Sequence, residues 1–147
     1  MNTKPEQAVN MFQEGSNCSQ AVISVYAEES GLSRNIALKI AQGFGGGLGR
    51  MSQTCGAVTG AFMVLGLKYG NDDIHDKEAK ERVYRLVREF SRRFESRNNS
   101  IICRELLGCD ISNPEGIIAA KKNGLLTSVC PKMVKEAVEI LDEMVNE

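Results

Sequence analysis

Apolar residues recur three and four positions apart along most of the chain, the period of an amphipathic helix, and no stretch alternates convincingly as a strand would. Pro5, Glu6, Ala8, Val9, Met11 and Phe12 predict a short first helix ending at Gly15. Asn17 or Ser16 caps a second, with Ala21, Val22, Val25 and Tyr26 at helical spacing up to Gly31. Ser33 caps a third, with Ile36, Ala37, Ile40 and Ala41 on one face, and the glycine-rich run Gly43–Gly49 stops it. Ser52 or Thr54 then caps a helix from about Cys55 to Tyr69, closed by Gly70. This helix is apolar all round, which makes it the expected central and most buried element.

The second half of the chain is more polar. Lys77 to Arg97 read as a long charged helix with a core stripe of Val83, Leu86, Val87, Phe90 and Phe94. Ser100 caps a short helix through Leu107, closed by Gly108, and Pro114 starts another through Ala120. Asn123-Gly124 breaks that one, and Pro131 opens the last, with Val134, Ala137, Val138, Leu141 and Val145 facing inward. The expected fold class is all-α: one domain over residues 1–147, a compact bundle of about seven helices around the central apolar helix at about 54–69. On that helix Gly56 and Gly60, and Ala57 and Ala61, fall four apart and leave a small-residue face. Helical glycine costs about 1 kcal/mol relative to alanine, so another backbone is expected to pack there, from this chain or from a homodimer partner.

Composition removes several function classes. The net charge is -1, which gives no global attraction to nucleic acid or anionic lipid. A single histidine excludes zinc sites that need two. It also makes Ser-His-Asp chemistry depend on His75, which lies in a polar loop and reads as solvent-exposed, the alternative being a metal ligand beside Asp72, Asp73 or Asp76. Arg82, Arg85, Arg88, Arg92, Arg93 and Arg97 read as a solvated helix face balanced by glutamates, without a recognised nucleic-acid module. Met51 and Met63 read as core filler. The apolar stretch from Cys55 to Leu67 is too short to span a bilayer. The first twenty residues lack a basic start followed by an apolar core, so the expected compartment is a reducing cytoplasm. There, cysteines are more often catalytic, redox-sensing or metal-binding than structural.

The chain has five cysteines, spaced 37, 48, 6 and 21 residues apart, with no CxxC pair. A thioredoxin motif and a zinc ribbon are thereby excluded, and any site must assemble from distant segments. On the expected helices Cys18, Cys55, Cys103 and Cys130 all fall at N-termini, where unpaired N–H groups and the helix dipole favour thiolate over thiol. Cys109 follows Gly108 at a helix end and stands apart from the site. The bland reading is that all five are buried small hydrophobes. The glycine run could cradle a phosphate or shield the cysteines. It has no GxGxxG, no following Lys-Ser or Lys-Thr and no preceding strand, which leaves a turn or close packing beside Cys55 as its simpler role.

Cys55-Gly56-Ala57-Val58-Thr59-Gly60 resembles the signature of the C-GCAxxG-C-C family of redox-active proteins, here in the order Cys-Gly-Ala-x-x-Gly. Flanking segments extend the resemblance over nearly the whole chain: Asn17-Cys18-Ser19-Gln20-Ala21-Val22, Gly45-Gly46-Gly47, Met63-Val64-Leu65-Gly66, Cys103-Arg104-Glu105-Leu106-Leu107-Gly108, and Cys130. The resemblance implies a small helical redox protein whose four cysteines are Cys18, Cys55, Cys103 and Cys130, with no defined substrate. A similar domain occurs in split-Soret cytochromes, where an iron–sulfur cluster has been proposed. This chain lacks the CxxCH haem motif.

Three readings follow. In the first, the four helix-start cysteines carry thiol–disulfide chemistry with an unidentified redox partner, Cys55 being central because Gly56 and Gly60 allow close approach. In the second, the same four hold zinc or an iron–sulfur cluster. In the third, the chain is a non-catalytic helical interaction module with buried thiols.

Overall fold

The computed structural model describes residues 2–147. Among them are eight α-helices: α1 (Lys4–Gln13), α2 (Cys18–Ala27), α3 (Arg34–Ala41), α4 (Gly56–Tyr69), α5 (Lys77–Asn98), α6 (Cys103–Leu107), α7 (Pro114–Lys122) and α8 (Leu125–Val145). Single 3-10 turns follow α2 and α3. The only β-type pairing among the described residues is the isolated antiparallel bridge between Thr54 and Ile102. The all-α expectation holds, with eight α-helices where about seven were expected.

Helix starts follow local chemistry. Thr3 and Asn17 each form a capping box with the glutamate or glutamine three residues on, and Ser33, Asp76 and Asn113 accept from backbone N–H groups at the starts of α3, α5 and α7. α4 is buried from Gly56 through Ala61 and again at Val64 and Leu65, as its all-round apolar sequence requires. Its small-residue face packs inside the chain. A Cβ on Gly60 would stand 2.8 Å from the Ser19 carbonyl oxygen and 3.0 Å from Val22 Cβ, so α2 is the close neighbour that the glycines admit.

α2 packs against α8. Tyr26 is buried and donates its hydroxyl to Asp142 at 2.5 Å, which fixes α2 against α8. Three of the six arginines of α5 pair with glutamates: Arg92 and Arg93 with Glu89, Arg93 with Glu147, and Arg97 with Glu139 and Glu143 of α8. His75 is exposed, as expected.

Four expectations need correcting. α8 starts at Leu125 rather than Pro131, so Pro131 lies inside a helix. Gly124, in the left-handed conformation at φ 66°, makes the turn, and Leu125, Leu126 and Val129 pack on a second cluster formed by Cys103, Leu107, Ile111 and Ala120. That packing carries the helix across a residue that costs it one backbone hydrogen bond. Ser100 is not the N-cap of α6, which is Ile102, although the Ser100 hydroxyl accepts from the Ile102 N–H. Neither Ser52 nor Thr54 caps α4: the N-cap is Cys55, Ser52 is wholly buried and Thr54 forms the bridge to Ile102. Met51 is 57% exposed and fills no core; Met63 packs against it.

Candidate functional site

Three cysteines stand where helices begin. Cys18 is the first residue of α2, Cys55 is the N-cap of α4 and Cys103 is the first residue of α6. Cys130 does not: it is the sixth residue of α8, because that helix starts upstream of Pro131. Cys18, Cys55, Cys103 and Cys130 nevertheless line one cavity of about 510 Å³, and Cys109 does not. Cys109 is half-buried, and its thiol donates to the Gly116 carbonyl at 3.5 Å.

Three local structures build this cavity. The first is the capping box of α2. The Gln20 N–H donates to Asn17 Oδ1 at 2.8 Å, and the Asn17 N–H donates to Gln20 Oε1 at 2.9 Å. The same two side chains donate onward to the carbonyls of Gln42 and Leu38, both at 2.9 Å, and so tie the Cys18 end of α2 to the end of α3.

The second is the strand-like clamp between residues 52–55 and 101–104. The Cys55 N–H donates to the Ile101 carbonyl at 2.8 Å and the Cys103 N–H to the Gln53 carbonyl at 2.6 Å, so these segments carry Cys55 and Cys103 side by side.

The third is the glycine loop. Gly46, Gly47, Leu48, Gly49 and Arg50 are consecutively left-handed, with φ between 57° and 68°, and Ser52 follows at 61°. Such a run is costly for residues with a Cβ, on the order of 1 kcal/mol each. Close packing holds it in place. A Cβ on Gly47 would lie 2.6 Å from Cys103 Cβ, so only glycine lets the loop close over that cysteine. The loop therefore packs tightly against the cysteines.

Burial decides the charge state of most of the thiols. Cys18, Cys55 and Cys103 are 8%, 6% and 8% exposed. Burial pushes the Cys55 thiol up to about 12, although N–H groups of Ala57 and Val58 at the start of α4 pull the other way. Burial likewise pushes Cys103 up to about 11, against a hydrogen bond with the Ser52 hydroxyl that favours its thiolate. The helix-start effect expected to lower these thiols is present at Cys55 but is outweighed.

Cys18 of α2 and Cys130 of α8 are neighbours in this cavity, and each shifts the other. The Cys18 thiol is raised well above the usual range, first by Cys130 and then by burial. Cys130 is lowered, because the Cys18 S–H stabilises its thiolate. Its lowered value thus comes from a neighbouring thiol and not from a helix start.

The family model described as "Putative redox-active protein (C_GCAxxG_C_C)" matches residues 16–144. The chain belongs to this family. The matched span contains every cysteine and the whole cavity lining except Phe12. No curated protein and no solved structure matches the chain.

Among the described residues no three His, Cys, Asp or Glu side chains are grouped so as to hold a metal ion, although the four thiols share one cavity. Among the described residues no helix is long and apolar enough to cross a membrane. Two contributors escape sequence reasoning, Ser52 beside Cys103 and Arg50 at the cavity, because their roles depend on the left-handed loop. The lock formed by Asn17 and Gln20 is a capping-box spacing that could have been read directly.

Proposed function

We propose that this protein carries out thiol–disulfide exchange with Cys130 as the attacking residue and Cys18 as the resolving one. The observation that carries this reading is that both cysteines line one cavity of small-molecule size, Cys18 from α2 and Cys130 from α8, with Cys130 lowered by its neighbour Cys18. The close approach allowed by Gly56 and Gly60 favours Cys55 as the central residue, whereas the neighbouring Cys18 favours Cys130.

The Cys130 thiolate attacks one sulfur of a substrate disulfide, forms a mixed disulfide and releases the other sulfur as a thiolate. Cys18 gives up its proton and attacks Cys130 Sγ, which expels the second substrate thiolate. The substrate disulfide has then gained two electrons, and Cys18 and Cys130 have lost two in forming their bond. Cys55 and Cys103 remain protonated thiols in the same cavity.

Anaerobic titration of the reduced protein with a mild disulfide oxidant tests this. The count of free thiols is expected to fall first by a pair, from the five of the chain. Cys18→Ser and Cys130→Ser are each expected to abolish that first step. Loss of no thiol would overturn the reading and favour the interaction module. Zinc or visible iron–sulfur absorbance in anaerobically purified protein would favour the metal reading.

A further inference from the structure

We infer that the cavity takes a small disulfide bearing an anionic group, such as a carboxylate, held by the Arg50 guanidinium together with free N–H groups of the glycine loop. This rests on the redox reading and adds a substrate class to it. Among the described residues Arg50 is the only charged one that lines the cavity: no Asp, Glu, Lys or His joins it. The arginines of the bundle that flank α8 are matched to glutamates, and Arg104 donates to the Ser52 carbonyl. Arg50 has no such partner among the described residues. It is a cation left over at the mouth of an otherwise uncharged site.

The loop adds donors at the same place. Gly46, Gly47 and Gly49 line the cavity, and their N–H groups donate to no atom of the described residues, while those of Leu48, Arg50, Met51, Ser52 and Gln53 are all spent on loop carbonyls. Gly47 is buried, so its N–H lacks ready access to bulk water. A buried donor without a partner is costly, and an acceptor on a ligand removes that cost. Apart from the uncharged polar residues Asn17 and Gln42 and the cysteines, the remaining side chains of the wall are apolar, with Phe12, Leu106, Leu126 and Met133 suited to the body of the molecule. A negative substrate approaching the Cys130 thiolate would otherwise meet repulsion, and Arg50 offsets it.

The test compares three disulfides of near-equal length: dithiodipropionate with two carboxylates, neutral hydroxyethyl disulfide, and cystamine with two ammonium groups. Rates of anaerobic oxidation are divided by those of free N-acetylcysteine with the same reagents, which removes intrinsic differences in chemistry. The expected order is dicarboxylate, neutral, diammonium, with the dicarboxylate ahead of the neutral reagent by about tenfold or more. Arg50→Gln is expected to erase that preference and Arg50→Lys to keep most of it. Faster oxidation than the free thiol without a preference for the dicarboxylate overturns this inference and leaves the redox reading standing. Failure to react with all three overturns the redox reading, and binding then decides the anion site alone. Calorimetry of the reduced protein is expected to show that suberate, the sulfur-free dicarboxylate of the same length, binds and octanediol does not. Equal behaviour of the two overturns the site.

Discussion

Cys18 and Cys130 share a cavity with Cys55 and Cys103, yet the two pairs are held in different chemical states. Cys55 and Cys103 sit on the clamp between residues 52–55 and 101–104, where burial raises them to about 12 and about 11. Cys130 sits on a helix interior with no end effect to help it, and is lowered by its neighbour Cys18. A helix start does not keep Cys55 low where water is excluded, whereas the neighbouring Cys18 acts to lower Cys130.

The comparison is broken most directly at Cys130. Cys130→Ser is expected to slow exchange with a small disulfide by about a hundredfold or more, and Cys55→Ser by less than about tenfold. Stopped-flow thiol oxidation measures both, and equal losses would erase the distinction between the pairs.

A pH series sharpens it. Cys130 is lowered, so iodoacetamide is expected to label it before the other cavity thiols between about pH 7 and 9, with Cys18 and Cys55 last. Peptide mapping reads the order. Cys55 and Cys103 also link pH to stability. Their folded pKa values lie above the ordinary value of 9.0, so folding favours the protonated thiols. That stability is complete below about pH 9 and is lost as pH rises toward about 12. Urea midpoints are expected to fall over this window, and to fall less in Cys55→Ala.

Two glycines of α4 give the smaller effects. Gly60→Ala pushes a Cβ into the α2 backbone behind Cys18 and is expected to cost about 1–3 kcal/mol. Gly66→Ala meets nothing within 4 Å and is expected to gain up to about 1 kcal/mol from helix propensity. Thermal denaturation separates the two by sign.

Much of this was legible in the chain. Periodicity located the helices, and caps such as Asn17 and Ser33 acted where they were read. The grouping of Cys18, Cys55, Cys103 and Cys130, and the separation of Cys109, matches the residues that line the cavity. Three things were not legible. Pro131 looked like a helix start because local propensity forbids it elsewhere, and only the packing of Leu125, Leu126 and Val129 shows why α8 continues through it. The meeting of Cys18 and Cys130 in one cavity joins residues far apart in sequence, through the register of α2 and α8 that Tyr26 and Asp142 fix. The left-handed run from Gly46 to Arg50 includes Leu48 and Arg50, residue types that give no signal for that conformation.

The central claim concerns which sulfurs work together. Mass spectrometry of the protein after brief anaerobic oxidation, digested without reduction, identifies the first bridged peptides directly. The expected product joins the peptide containing Cys18 to the peptide containing Cys130, with Cys55, Cys103 and Cys109 still free. A first bridge between Cys55 and Cys103, or four unbridged thiols in the cavity, would contradict the account.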